Sequence, residues 1–227
     1  MNHDDLLKQQ LEYYNARAIE YDETAAIQGD PEDETDQAVR EDWHQLAETV
    51  RQMGPFDSIL ELASGTGAWT NLLRQIGKHV TAIDGAPEML VINRMKLGSD
   101  PRVTYQQADL FEWQPDQTYD LVFFGFFLSH VPPDRVDPFL SAAAQAVKPG
   151  GTLCIIDEPA GGQQLSGPTG EDSRQSRTLL DGRTYTIIKE YYDPLAIKAK
   201  LEQRGFAAIK VRQSDYFFML TATRKER

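Results

Sequence analysis

From Phe56 onward the chain alternates short, wholly apolar runs with segments whose apolar residues recur every three or four positions. Phe56–Leu62, Val80–Ile83, Val103–Ala108, Tyr119–Phe127 and Thr152–Asp157 read as strands, and Ala68–Ile76, Pro87–Leu97 and Asp134–Val147 as the helices between them. Strands that are apolar along their length and separated by helices predict a parallel sheet covered on both faces. Pro194–Arg204 reads as a further helix, ended by Gly205. Two last strands follow, Ala207–Arg212 and Tyr216–Thr223, and their short link forces an antiparallel pair.

Two regions stand outside this rhythm. Before Gly54-Pro55, which breaks the chain, residues 4–22 and 36–52 read as helices joined by an acidic loop around Gly29–Asp36. After the fifth strand, residues 159–183 read as a mobile loop, and Tyr185–Tyr192 regains strand character.

Charge narrows the partners. The net charge is −12, and residues 1–50, with 14 acidic and 3 basic side chains, carry almost all of it. No basic stripe is left for a phosphate backbone, so a nucleic-acid partner is not expected. No apolar run approaches the ~20 residues of a membrane span, and the polar start resembles no signal peptide. The single cysteine, Cys154, lies in an apolar run and reads as a buried, inert strand residue. These features predict a cytoplasmic protein. Neither Cys154 nor His3, His44, His79 and His130 show metal-ligand spacing, so no metal is expected.

The sharpest chemical signal is Glu61-Leu62-Ala63-Ser64-Gly65-Thr66-Gly67, where the first strand runs through a glycine turn into a helix. Glycine permits φ > 0 and close backbone approach to a ligand. A carboxylate, Asp84, ends the second strand, where open α/β sheets bind ligands. It can accept from both hydroxyls of a ribose or cap the next helix. Asp109-Leu110 ends the third strand, so Asp109 is placed to accept from an adenine amino group while Leu110 or Met89 packs on the ring. A dehydrogenase fingerprint, Gly-x-Gly-x-x-Gly, lacks its last glycine here.

Together with Tyr119–His130, Lys148-Pro149-Gly150-Gly151 and the closing hairpin, these segments resemble the class I S-adenosylmethionine (SAM)-dependent methyltransferases that act on small molecules. The resemblance implies a doubly wound, Rossmann-like seven-stranded sheet of order 3-2-1-4-5-7-6 with strand 7 antiparallel, and SAM as cofactor. It implies a helical lid over residues 1–53, a SAM-binding domain over 54–227, and an acceptor cover inserted at about 159–193. Glu61, Ala63, Gly65 and Gly125 would cradle the methionine part. The family's usual first glycine is Ala63 here. Trp69 either walls that side or packs in the core. Tyr14, Arg17 and Tyr21 of the first helix would cover SAM, with Arg17 on the methionine carboxylate.

SAM brings an electrophilic methyl group, so the protein needs to align an acceptor and exclude water. His130, at the carboxyl end of the fourth strand, is the candidate base. Phe127, Arg183 and Tyr191 are candidates for holding the acceptor, Arg183 through an anionic group. The expected activity is methylation of a small-molecule oxygen nucleophile, a phenol or a carboxylate. N-methylation and SAM binding without catalysis are the alternatives. A monomer and a homodimer fit equally.

Overall fold

The computed structural model describes residues 3–24, 29–160, 167, 169 and 173–226. In chain order these form α1 (His3–Arg17), α2 (Glu34–Arg51), β1 (Phe56–Leu62), α3 (Ala68–Ile76), β2 (Gly77–Asp84), α4 (Pro87–Leu97), β3 (Val103–Gln107) and β4 (Tyr119–Gly125). A single 3-10 turn (Leu128–His130) leads to α5 (Val136–Gln145) and β5 (Val147–Asp157). Then come β6 (Arg174–Thr178), β7 (Thr184–Ile188), α6 (Pro194–Gln203), β8 (Phe206–Gln213) and β9 (Phe218–Arg224).

The main sheet has the order β3-β2-β1-β4-β5-β9-β8. β1 to β5 run parallel, and β9 lies antiparallel between β5 and β8. This is the expected seven-stranded sheet, with β8 and β9 as its closing hairpin. Alternate residues of each central strand serve opposite layers. Leu60, Val122, Phe124, Leu153 and Ile155 join one core, while Ile59, Leu121, Phe123, Cys154 and Ile156 join the other. Both faces are buried, which is why these strands read as unbroken apolar runs rather than alternating ones. Cys154 is fully buried and burial pushes its thiol pKa up, so it is inert as expected. Among the described residues no helix is long and apolar enough to cross a membrane.

Four local expectations need correction. The first helix stops at Arg17 instead of running to residue 22. The chain turns through bonds from Glu20 N to Arg17 O and Thr24 N to Glu20 O, which swings Tyr21 toward Met89 and Ala86. Tyr21 therefore lies outside the first helix. The fourth strand ends at Gly125 rather than Phe127, because Phe126 takes a left-handed φ of 58°. The fifth strand starts at Val147 rather than Thr152, so Gly150-Gly151 lies within β5. Lastly, part of the expected loop 159–183 is strand: β6 pairs with β7 as a separate two-stranded sheet. Residues 161–166, 168 and 170–172 of that stretch lie outside the described residues.

Part of the acidic N-terminal charge has a local reason. Asp33 caps α2 by accepting from Thr35 N and Asp36 N, and Glu34 and Asp36 sit in its first turn, where the helix dipole favours negative charge. α2 packs Val39, Leu46, Ala47 and Val50 into the core beside Ile59 and Trp69. Of the described residues before Gly54, those of α1 and Tyr21 in the turn after it lie at the carboxyl ends of the strands.

Candidate functional site

The carboxyl ends of β1, β2 and β4 open into a cavity of about 540 Å³ beneath α1. β1 and β4 are the neighbours at which the strand order reverses, the usual place for a ligand in such a sheet. The cavity wall includes Ala63, Gly65, Asp84, Met89, Asp109 and Leu110. Gly125, Phe127 and His130 continue it, and Tyr14 and Tyr21 reach it from above.

The loop after β1 is built around Asp84. Its Oδ2 accepts from Gly65 N at 2.8 Å and its Oδ1 from Ala86 N at 2.8 Å. The carboxylate thus ties the β1 loop to β2 and lies on the cavity wall. Burial raises its pKa, and these backbone donors oppose that shift. Asn93, fully buried on α4, holds the same loop by donating to Gly65 O at 3.3 Å and Thr70 Oγ1 at 2.8 Å. Ala63 sits at φ 55°, a left-handed geometry that glycine adopts without strain. At Gly125 an added Cβ would stand 2.8 Å from Trp69 Nε1, so the bare backbone there is a packing requirement. Trp69 is buried against Phe123 and Trp43 and belongs to the core.

The far end of the cavity is organised by His130. Its Nδ1 lies 2.7 Å from Ile188 O, and its Nε2 lies 2.8 Å from the Tyr14 hydroxyl. A carbonyl only accepts, so Nδ1 carries the proton and, in the neutral ring, Nε2 accepts from Tyr14. Burial first, and then the charge of Lys189, hold the His130 pKa well below its usual value. Lys189 is itself buried, donating to Glu158 Oε1 at 2.7 Å and Ser129 Oγ at 3.1 Å.

A family model described as a methyltransferase domain matches residues 59–151. Among solved structures, the DhpI–SAH complex is 33% identical, covers 100% of both chains and has a TM-score of 0.79. The chain belongs to the class I SAM-dependent methyltransferases. The DhpI–SAM–HEP complex is similar at 34% identity, covering 96% of this chain and 97% of that one, with a TM-score of 0.77. Demethylmenaquinone methyltransferase of Clavibacter sepedonicus is 34% identical over 112 residues, 48% of this chain and 45% of that protein. The chain thus spans about half the length of the curated relatives it matches.

The chain's own residues fit SAM, the family's donor. Glu61 Oε2 and Ser64 Oγ are buried beside the β1 loop and have no hydrogen-bond partner among the described residues. Orphaned buried polar atoms cost free energy unless a ligand or water satisfies them. Burial, helped by the charge of Asp84, pushes Glu61 up to about 8 against two hydrogen bonds from Thr70. A positively charged group would relieve that. No atom lies within 4 Å of where a Cβ on Gly65 would stand, leaving room for close ligand approach.

Other expected residues lie elsewhere. Glu61 is behind the cavity wall rather than part of it. Arg17 stacks on Tyr21, 4.6 Å from its ring centre, and donates to Thr24. Arg183 pairs with Asp181 and donates to Tyr185 Oη on the exposed hairpin turn. Tyr191 donates to Gly167 O. Neither Arg183 nor Tyr191 reaches the cavity wall. Conversely, Leu7, Gln10, Leu11 and Phe111 line it and were not expected. Leu7, Leu11 and Tyr14 follow i, i+4, i+7 spacing, a stripe legible in the sequence as apolar but not as ligand-facing.

Proposed function

We propose that this protein transfers a methyl group from SAM to an oxygen nucleophile of a small-molecule acceptor, with a carboxylate preferred over a phenol. The observation that carries the reading is that one cavity runs from Asp84 and Asp109 to Phe127 and His130. It joins a nucleoside-sized end to an aromatic end with a titratable ring.

SAM supplies the electrophilic methyl group. Asp84 is assigned to the ribose hydroxyls and Asp109 to the adenine amino group. Leu110 and Met89 pack on the base, while Tyr14 and Tyr21 roof it. The backbone of Ala63, Gly65 and Gly125 takes the methionine part; for Glu61 to meet its ammonium with the unpartnered Oε2, the loop that separates it from the cavity must part. Arg17 is assigned to the methionine carboxylate, for which it must leave Thr24. At the acceptor end Phe127 excludes water, and Phe111 stacks 6.0 Å from it.

The preference for a carboxylate follows from His130. Its depressed pKa and the nearby charges of Lys189, Arg177 and Arg17 oppose taking up a proton. A carboxylate arrives ionised and needs no base. For a phenol, the proton would pass to Tyr14 Oη as the Tyr14 proton moves to His130 Nε2.

The test is a methyl-transfer screen with SAM over carboxylic acids, phenols, amines and thiols, read by product mass. Expected is one added methyl on an acid or phenol. Transfer confined to amines or thiols overturns the oxygen assignment, and failure of the purified protein to bind SAM or its demethylated product overturns the whole reading.

A further inference from the structure

Gln10 is a buried side chain on α1 that the cofactor contacts leave without a role. Its amide closes a ring of hydrogen bonds around His130. Gln10 Nε2 donates to His130 O at 3.1 Å, and Gln10 Oε1 accepts from Ile188 N at 2.9 Å. His130 Nδ1 donates to Ile188 O at 2.7 Å, completing the circuit. One turn further along α1, Tyr14 donates to His130 Nε2. Gln9 adds a second tie to the hairpin by accepting from Thr186 N at 2.7 Å.

The hairpin needs these ties. β6 and β7 form a two-stranded sheet separate from the main one, and such a pair is marginal alone. Its apolar residues Leu179 and Ile187 pack on Tyr13 of α1. The same α1 presents Leu7, Leu11 and Tyr14 to the cavity. One helix therefore leans on the adenosyl end with one stripe and holds both His130 and the hairpin with the adjacent one.

We propose that Gln10 is a positioning residue and that, together with the cofactor-facing Tyr14, it transmits cofactor occupancy to the acceptor end: α1, seated on a bound adenosyl group, fixes the His130 ring and orders the β6–β7 hairpin. The inference rests on the cofactor reading above. It makes acceptor binding conditional on SAM, since the ring and the cover are set by a helix that the nucleoside holds down. The coupling is reciprocal, as any equilibrium linkage between two sites is.

The probe is S-adenosylhomocysteine (SAH) alone, with residue-resolved hydrogen exchange and imidazole nitrogen NMR as readouts. His130→Asn identifies the His130 signals. In the unsubstituted protein, SAH at 100 times its Kd should slow exchange of the Thr186 and Ile188 amides by up to about 100-fold, the limit set if opening requires release. His130 should show one protonated Nδ1 and one bare, hydrogen-bonded Nε2. In Gln10→Ala, saturating SAH should protect those amides at least about tenfold less. In Tyr14→Phe, which keeps the ring and loses only the hydroxyl, the Nε2 signal should shift toward that of an unbonded nitrogen. SAH binding without hairpin protection overturns the coupling and leaves the cofactor reading intact. An unchanged Nε2 signal in Tyr14→Phe, a variant whose fold is checked by its own SAH titration, also overturns it. No SAH binding by the unsubstituted protein overturns both.

Discussion

Raising the pH from 6 to 9 titrates Glu61, and the cofactor reading ties that titration to binding. The carboxyl is pushed up to about 8 by burial first and by Asp84 second, and its Oε2 has no partner among the described residues. At pH 6 the free protein therefore holds this group protonated. A ligand α-ammonium placed against it favours the ionised form and expels the proton. The affinity for SAH then scales with the ionised fraction of Glu61 times the ammonium fraction of the ligand. With Glu61 titrating near about 8 and the amino-acid ammonium staying charged to higher pH, affinity should rise about 50-fold from pH 6 to pH 8 and then level off. The rising limb corresponds to roughly 2.3 kcal/mol. Calorimetry in buffers of different ionisation enthalpy should record release of about 0.9 proton per SAH at pH 7. Glu61→Gln should abolish the rising limb. Affinity that is flat from pH 6 to 8, without proton release, would refute the placement of Glu61 against the ligand's amine.

Three further outcomes are expected. Asp84→Asn keeps the shape but removes the charge, and should weaken SAH binding roughly 10- to 100-fold, the range for a charged hydrogen-bonding group; a loss under threefold in a titration would remove the ribose assignment. Ala63→Gly relieves left-handed strain at φ 55° and should raise stability by up to ~1 kcal/mol, partly offset by glycine's chain entropy; a melting temperature lowered by the change would show that the methyl group packs favourably. Gly125→Ala drives a methyl against Trp69, 2.8 Å away, and should cost roughly 1–3 kcal/mol in thermal or urea unfolding; unaltered stability would mean that Trp69 yields freely.

The sheet was legible because each of its strands carries its own signal. Leu121, Val122, Phe123 and Phe124 are apolar on both faces since each face meets a separate core. The ligand loop was legible for the same local reason: Gly65, Gly67 and Asp84 declare turn and carboxylate within 24 residues of Glu61. The lid was only half legible. Its apolar stripe marks a helix, yet the end at Arg17 depends on Tyr21 finding Met89 and Ala86 across the chain. The hairpin was less legible still, because Arg174–Thr178 is polar and becomes a strand by pairing with β7.

The sequence by itself determined the order of the main-sheet strands and the helices between them, the doubly wound class, the closing antiparallel hairpin and the carboxylates at the strand ends, all of which follow from local periodicity and chemistry. Only the tertiary structure decided that His130 faces Tyr14 and Ile188 and that Gln10 closes that circuit. The physical reason is separation. Those contacts join residues 116 and 58 positions apart at His130 and 120 at Gln10, and no periodicity in a single chain records which distant side chains folding will bring within 3 Å.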